Sequence, residues 1–143
     1  MTAMTIGRAA GEAGVGVETI RFYERKGLIE QPPRPLASGY RVYPEATVQR
    51  IRFIRRAQDL GFSLNEIEEL LSLRADPSAG SSDVRERAIA KRTEVERKIA
   101  RLQEIHGALD ELISACPGEG ALRHCSIMET LIAAAEGTRT RAE

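Results

Sequence analysis

The sequence predicts a mainly α chain in three parts: a small N-terminal helix-turn-helix domain with a hairpin, a long coiled-coil helix, and a short C-terminal loop and helix. Three observations carry that expectation. Two short helical segments are punctuated by Gly14 and Gly27, a Pro-free run from Ser82 to about Ala115 repeats apolar residues every seven positions, and the two cysteines flank one Pro-Gly loop. The chain has 143 residues, enough for one modest domain or a small domain with an extended appendage. The net charge is zero but unevenly distributed, with 10 Lys/Arg against 6 Asp/Glu in residues 1–62 and 11 against 15 in residues 63–143. A basic first half suits a polyanion, and an acidic second half suits a helical partner surface.

Thr5 can cap a first helix that carries Ile6, Ala9, Ala10 and Ala13 on one face, and Gly14 ends it by accepting a positive φ. Val15 to Lys26 forms a second helix with Ile20 and Phe22 apolar and Glu18, Arg21, Arg25 and Lys26 polar, stopped by Gly27. Helix, tight turn and cationic second helix is the helix-turn-helix pattern. Gln31–Tyr43 holds three prolines and a Ser38-Gly39 turn signal, followed by the alternating Tyr40-Arg41-Val42-Tyr43. A two-stranded hairpin bearing Arg34 and Arg41 is expected there, placed as a wing beside a DNA-reading helix.

Pro44 suits the first turn of a third helix, whose stripe is Val48, Ile51, Phe53, Ile54 and Ala57. Ser63-Leu64-Asn65-Glu66 reads as a capping box opening a fourth helix that packs through Ile67, Leu70, Leu71 and Leu73. These elements make a domain over 1–74, joined by a hinge at 75–81 to a helix over 82–115. Along that helix Ala88, Val95, Leu102 and Leu109 recur every seven residues, Ile99, His106 and Ile113 fill the intermediate position, and Arg92 interrupts it. This is a coiled-coil seam on a helix spanning roughly 50 Å, which one small domain cannot bury, so a dimer is expected. A loop and short helix over 116–135 follow, and 136–143 is expected to be a flexible tail.

Cys116 and Cys125 enclose Pro-Gly-Glu-Gly-Ala-Leu-Arg-His, one at a helix end and the other beside a helix start. A helix N-terminus lowers a thiol pKa and favours the thiolate that binds soft metals. Two thiolates are too few for a tetrahedral zinc site without further groups. By spacing alone, a metal site and an incidental thiol pair both remain open. His124 reads as a surface residue and His106 as a packed seam residue. No run of eighteen apolar residues and no leader pattern is present, which points to a cytoplasmic chain with reduced thiols and no membrane partner. No paired acids, phosphate loop or nucleophile–base set is visible, so the chain is not expected to be an enzyme.

Val17–Leu28 (VETIRFYERKGL), Gly39–Tyr43 (GYRVY) and Ala57–Leu64 (AQDLGFSL) with Glu66 and Ile67 resemble the MerR family, and the likeness runs from about Met4 to Leu131. The resemblance implies a winged helix-turn-helix domain, a long antiparallel dimerisation helix and a short C-terminal metal-binding loop and helix. It implies that Arg21 and Tyr23 on the second helix and Tyr40 and Arg41 on the wing contact promoter DNA, with Lys26 and Arg34 as further phosphate contacts. It also implies a homodimer on a pseudo-palindromic operator, where a bound effector distorts the DNA so that RNA polymerase engages the promoter. Cys116 and Cys125 resemble the metal loop of the metal-sensing branches. Sensors of divalent ions have a third cysteine just before the long helix, the copper, silver and gold branch has serine there, and this chain has Ser81. Ser81 would reach the thiols of its partner subunit only across the antiparallel dimer. The effector implied is a soft ion: Ser81 favours Cu(I), Ag(I) or Au(I), whereas the loop length and Val17–Leu28 favour Hg(II), which is preferred. Thiol redox sensing, an organic effector and a protein-interaction module without DNA are the rival readings.

Overall fold

The computed structural model describes residues 4–35 and 39–142, with side chains described as far as 135. In chain order the helices are α1 (Ile6–Ala13), α2 (Val17–Arg25), α3 (Glu45–Asp59), α4 (Leu64–Ala75), α5 (Ser81–Ala115) and α6 (Ser126–Ala142), with a 3-10 turn at Leu122–His124 before α6. The chain divides into two compact units, residues 1–91 and 92–143.

Within the first unit, helix ends fall where local chemistry dictates. Thr5 accepts a hydrogen bond from the Arg8 N–H, and Gly14 ends α1 in the left-handed conformation with φ of 73°. Pro44 is the N-cap of α3 rather than part of its first turn, which equally leaves no helical donor missing. The capping box is present in full: Ser63 Oγ accepts from the Glu66 N–H at 3.2 Å, and Glu66 Oε1 accepts from the Ser63 N–H at 2.7 Å.

These caps aim four apolar faces at one core. α1 packs on α2 and α3, and α3 packs on α4. Small Ala9, Ala10 and Ala13 let α1 lie close to its neighbours, and Ile20, Ile51, Ile54 and Ile67 fill the centre, each fully buried. Two α3 arginines close exposed backbone ends. Arg50 Nε donates to the Leu28 carbonyl at 2.6 Å, and Arg52 Nη2 donates to the Glu12 carbonyl at 2.7 Å.

The expected hairpin over Gln31–Tyr43 differs in form. Among the described residues it contains no strand, and its only ladder contact is an isolated antiparallel bridge between Met4 and Tyr43. Pro32, Pro33 and Pro35 have no N–H, so the first arm cannot supply the donors of a ladder. A side chain joins the arms instead: Arg41 Nε donates to the Pro32 carbonyl at 2.9 Å. Of the expected Ser38-Gly39 turn, Ser38 lies outside the described residues, and Gly39 has a φ of 75°.

α5 begins at Ser81, one residue earlier than expected, and its first turns meet α4 through long side chains. Lys91 Nζ lies 2.7 Å from Glu66 Oε1, and Arg87 pairs with Glu69. In the second unit the α5 residues Val95, Ile99, Leu102, Leu109 and Ile113 are all exposed in the single chain. α6 extends to Ala142, so the backbone is helical through most of the segment expected to be a flexible tail.

Glu66 is held down to about 2, first by the hydrogen bond from Lys91 and then by the Ser63 N–H. A carboxyl lowered by folding contributes fully above its unfolded value near 4.5, and that stability disappears as the pH falls through about 2. Glutamine at this position keeps a capping-box acceptor but loses the ion pair. Glu66→Gln is expected to cost about 1 kcal/mol at pH 7, a modest figure because the site is partly open to water. Urea denaturation at several pH values should show this gap closing between pH 5 and 2. A gap independent of pH would contradict the assignment.

Candidate nucleic-acid interface and thiol pair

The polar side of α2 and the extended segment after it converge on one small cleft of about 160 Å³, lined by Thr5 and Ile6, Arg21 and Glu24, Gln31, and Gly39, Tyr40, Arg41 and Tyr43. Three of the residues expected to touch DNA, Arg21, Tyr40 and Arg41, are thus brought together. Tyr40 is 70% exposed. Arg21 leans on Glu18 at 2.9 Å, an exposed pair that costs little to exchange for a phosphate. Tyr43 fixes the segment to α2, its hydroxyl donating to Glu24 Oε2 at 3.0 Å. Burial, with the hydrogen bond and charge of Glu24, pushes that phenol up to about 12, so it stays a donor.

Arg25, the last residue of α2, and Lys26, its C-cap, each lie over the Phe22 ring, with Lys26 Nζ 5.6 Å from its centroid. Arg34 is exposed on the proline arm.

Tyr23 departs from the expected DNA contact. It is 1% exposed, and its hydroxyl donates to Gln58 Oε1 at 2.5 Å. Tyr23 follows Ile20 by three residues and therefore shares its core-facing side of α2. It positions the helix against α3 and is not free to meet a base edge. Beside it, Arg55 and Gln58 of α3 line a shallow depression with Glu18, Thr19 and Phe22 of α2. Sequence reasoning did not single out Arg55, although the Arg55-Arg56 pair on a cationic α3 was the available signal.

The second constellation lies in the other unit. Cys116 closes the last turn of α5, its N–H donating to the Leu112 carbonyl at 3.1 Å. Gly118 and Gly120 then adopt φ of 77° and 93°, conformations that reverse the chain at little cost only for glycine. The 3-10 turn delivers Cys125 to the start of α6, where its carbonyl accepts from the Glu129 N–H at 3.1 Å. The reversal leaves the two sulfurs 3.7 Å apart, both partly buried and free of a disulfide. The Cys125 thiol is pulled below its ordinary value chiefly by a hydrogen bond from the Met128 N–H, helped by Cys116 and the Ile127 N–H and opposed by burial and Glu129. Here the open donors of a helix N-terminus favour a thiolate.

Two soft sulfurs suit a soft ion, and their separation is within twice a metal–thiolate bond of about 2.3 Å, the span that one ion bridges. Beside them, Ser126 Oγ is buried without a hydrogen-bond partner among the described residues. His124 Nε2 accepts from Arg123, and His106 pairs with Asp110 at 3.3 Å. Among the described residues no group of three or more His, Cys, Asp or Glu comes together. Ser81 opens α5 in the first unit. Among the described residues, no helix is long and apolar enough to cross a membrane.

Residues 4–73 match the family model described as MerR HTH family regulatory protein, and residues 48–112 match the one described as MerR, DNA binding. The chain is 43% identical over 127 residues to the mercuric resistance operon regulatory protein of Bacillus cereus, covering 89% of this chain and 96% of that one. It is 41% identical over 140 residues to heavy metal-dependent transcription regulator 1 of Rhizobium meliloti, covering 97% and 94%. A crystal structure of a transcription regulator of Ralstonia metallidurans in complex with lead(II) has a TM-score of 0.78 and 34% identity, covering 90% of this chain and 98% of that one. On the matched helix-turn-helix unit, the long helix beyond it and identity sustained over nearly the whole chain, this protein belongs to the MerR family of helix-turn-helix regulatory proteins.

Proposed function

We propose that this chain is a homodimeric, cytoplasmic transcription regulator that binds promoter DNA and responds to a soft metal ion held by Cys116 and Cys125, with Hg(II) preferred. The observation that carries the metal reading is the pair of free sulfurs 3.7 Å apart beside a helix N-terminus. Hg(II) accepts two thiolate donors without a third. A relative named as a mercuric resistance regulator, at 43% identity, supports that choice. Ser81, which the resemblance associates with monovalent ions, favours Cu(I), Ag(I) or Au(I) as the second reading.

Exposure of Val95, Leu102 and Leu109 along α5 supports dimerisation, because their burial needs a second helix. In the antiparallel dimer Ser81 of one subunit would approach the cysteine loop of the other. Each subunit presents Arg21, Tyr40 and Arg41 to one half-site, with Lys26 and Arg34 on flanking phosphates. The metal selects one dimer geometry, and that geometry stabilises distorted operator DNA so that RNA polymerase can engage the promoter.

Each phosphate contact releases counterions and a substitution removes one contact from each subunit of the dimer, so Arg21→Ala or Arg41→Ala should weaken operator binding and make the log–log salt slope shallower by about 1.8. Tyr23→Phe should leave that slope unchanged. Fluorescence anisotropy over a salt series checks both, and slopes unaffected by either arginine change would remove these residues from the interface. For the effector, Cys116→Ala should abolish the Hg(II)-dependent rise in transcription in a purified polymerase assay while operator affinity of the metal-free protein is retained. Undiminished induction in that variant contradicts the metal reading.

A further inference from the structure

Lys91 is the only buried charged residue among those described, 7% exposed, on a helix face where Arg87 and Glu94 are half-buried. Its Nζ is 2.7 Å from Glu66 Oε1 and 5.5 Å from the centre of the Phe62 ring. Its Cδ stands 3.8 Å from where a Cβ would sit on Gly61, a residue with φ of 94°. One α5 side chain therefore reaches three points of the turn between α3 and α4: methylenes on Gly61, ammonium over Phe62, and charge on the carboxylate that also caps α4 through the Ser63 N–H. One helical turn earlier on α5, Arg87 pairs with Glu69.

The placement matters more than the strength of the pair. α4 and α5 are joined through a short loop containing Pro77 and Gly80. Lys91 is ten residues along α5 from Ser81, about 15 Å from the loop, so the contact acts as a brace and not as a second hinge. Displacing α5 from α4 forfeits this ion pair and the packing of the Lys91 methylenes on Gly61.

We infer that Lys91, braced on Glu66 and Phe62, is a positioning residue that fixes the direction in which α5 leaves the helix-turn-helix unit and thereby sets the half-site spacing that a dimer accepts. The inference rests on the dimeric DNA-binding reading above but not on its metal effector. In a dimer held by α5, the angle between α5 and its own reading head determines the separation and relative rotation of the two heads. One base pair inserted between half-sites moves them by about 3.4 Å and rotates them by about 35°. A braced dimer resists that change, whereas an unbraced one accommodates it.

The test uses the full-length protein without metal and a pseudo-palindromic duplex selected by the wild-type chain from a random pool. The same duplex with one base pair inserted at its centre, and a duplex with a single half-site, complete the set. Wild type is expected to lose at least tenfold in affinity on the insertion. Lys91→Met retains the methylene packing and Glu66→Gln retains the capping box, so the pair of variants separates the brace from folding. Both should reduce the insertion penalty to threefold or less while binding the single half-site within twofold of wild type, and Lys91→Arg should restore the penalty. The inference is overturned if both variants keep the wild-type penalty, if they weaken all three duplexes equally, or if wild type shows no penalty. Adding Hg(II) to the wild-type protein on the parent duplex tests the effector separately: spacing discrimination without any Hg(II)-dependent change contradicts the metal reading and leaves the brace standing.

Discussion

The apolar seam of α5 is the constraint on which the rest depends. Val95, Ile99, Leu102, Leu109 and Ile113 lie on a helix of 35 residues and are exposed among the described residues. A hydrophobic surface of that length is stable in water only against another helix. In the dimer proposed above, pairing gives a two-headed reader and makes the cysteine loop after α5 part of an assembly. A small helix-turn-helix unit gains useful affinity from having two heads, because the second half-site is bound as an intramolecular event.

Each functional group rests on backbone chemistry that precedes it. The cleft with Arg21, Tyr40 and Arg41 exists because Tyr43 ties the proline segment to Glu24 and because a bridge joins Met4 to Tyr43. The thiol pair exists because two positive-φ glycines reverse the chain and a 3-10 turn places Cys125 at a helix start. Neither site depends on an unusual side chain. Both depend on where helices stop, which glycine, proline and short polar residues determine.

What was legible in the sequence is what local rules govern. The Ser63–Glu66 capping box, the stops at Gly14 and Gly27 and the core faces of α3 and α4 depend on neighbours within a few residues. The family likeness implied a DNA contact for Tyr23, whereas its three-residue offset from Ile20 places it on the core-facing side of α2. The wing was drawn as a hairpin because Tyr40–Tyr43 alternates, and the absence of N–H groups on the prolines carried more weight than that alternation. Lys91 was not legible at all. A lysine in a charged helix reads as solvated, and only the folded turn at Gly61–Ser63 makes it a buried partner.

The central claim is that a chain with two cysteines and no third at the start of α5 still holds a soft ion tightly enough to act as its signal. Competitive titration of the fully reduced dimer with Hg(II) and with Cu(I), each against a small-molecule thiol buffer and followed by native mass spectrometry, tests it most directly. One Hg(II) per chain, retained in the presence of excess competing thiol and bound in preference to Cu(I), is the result this account predicts. Retention of neither ion would leave a DNA-binding dimer of the same family with a different signal, and would contradict the account.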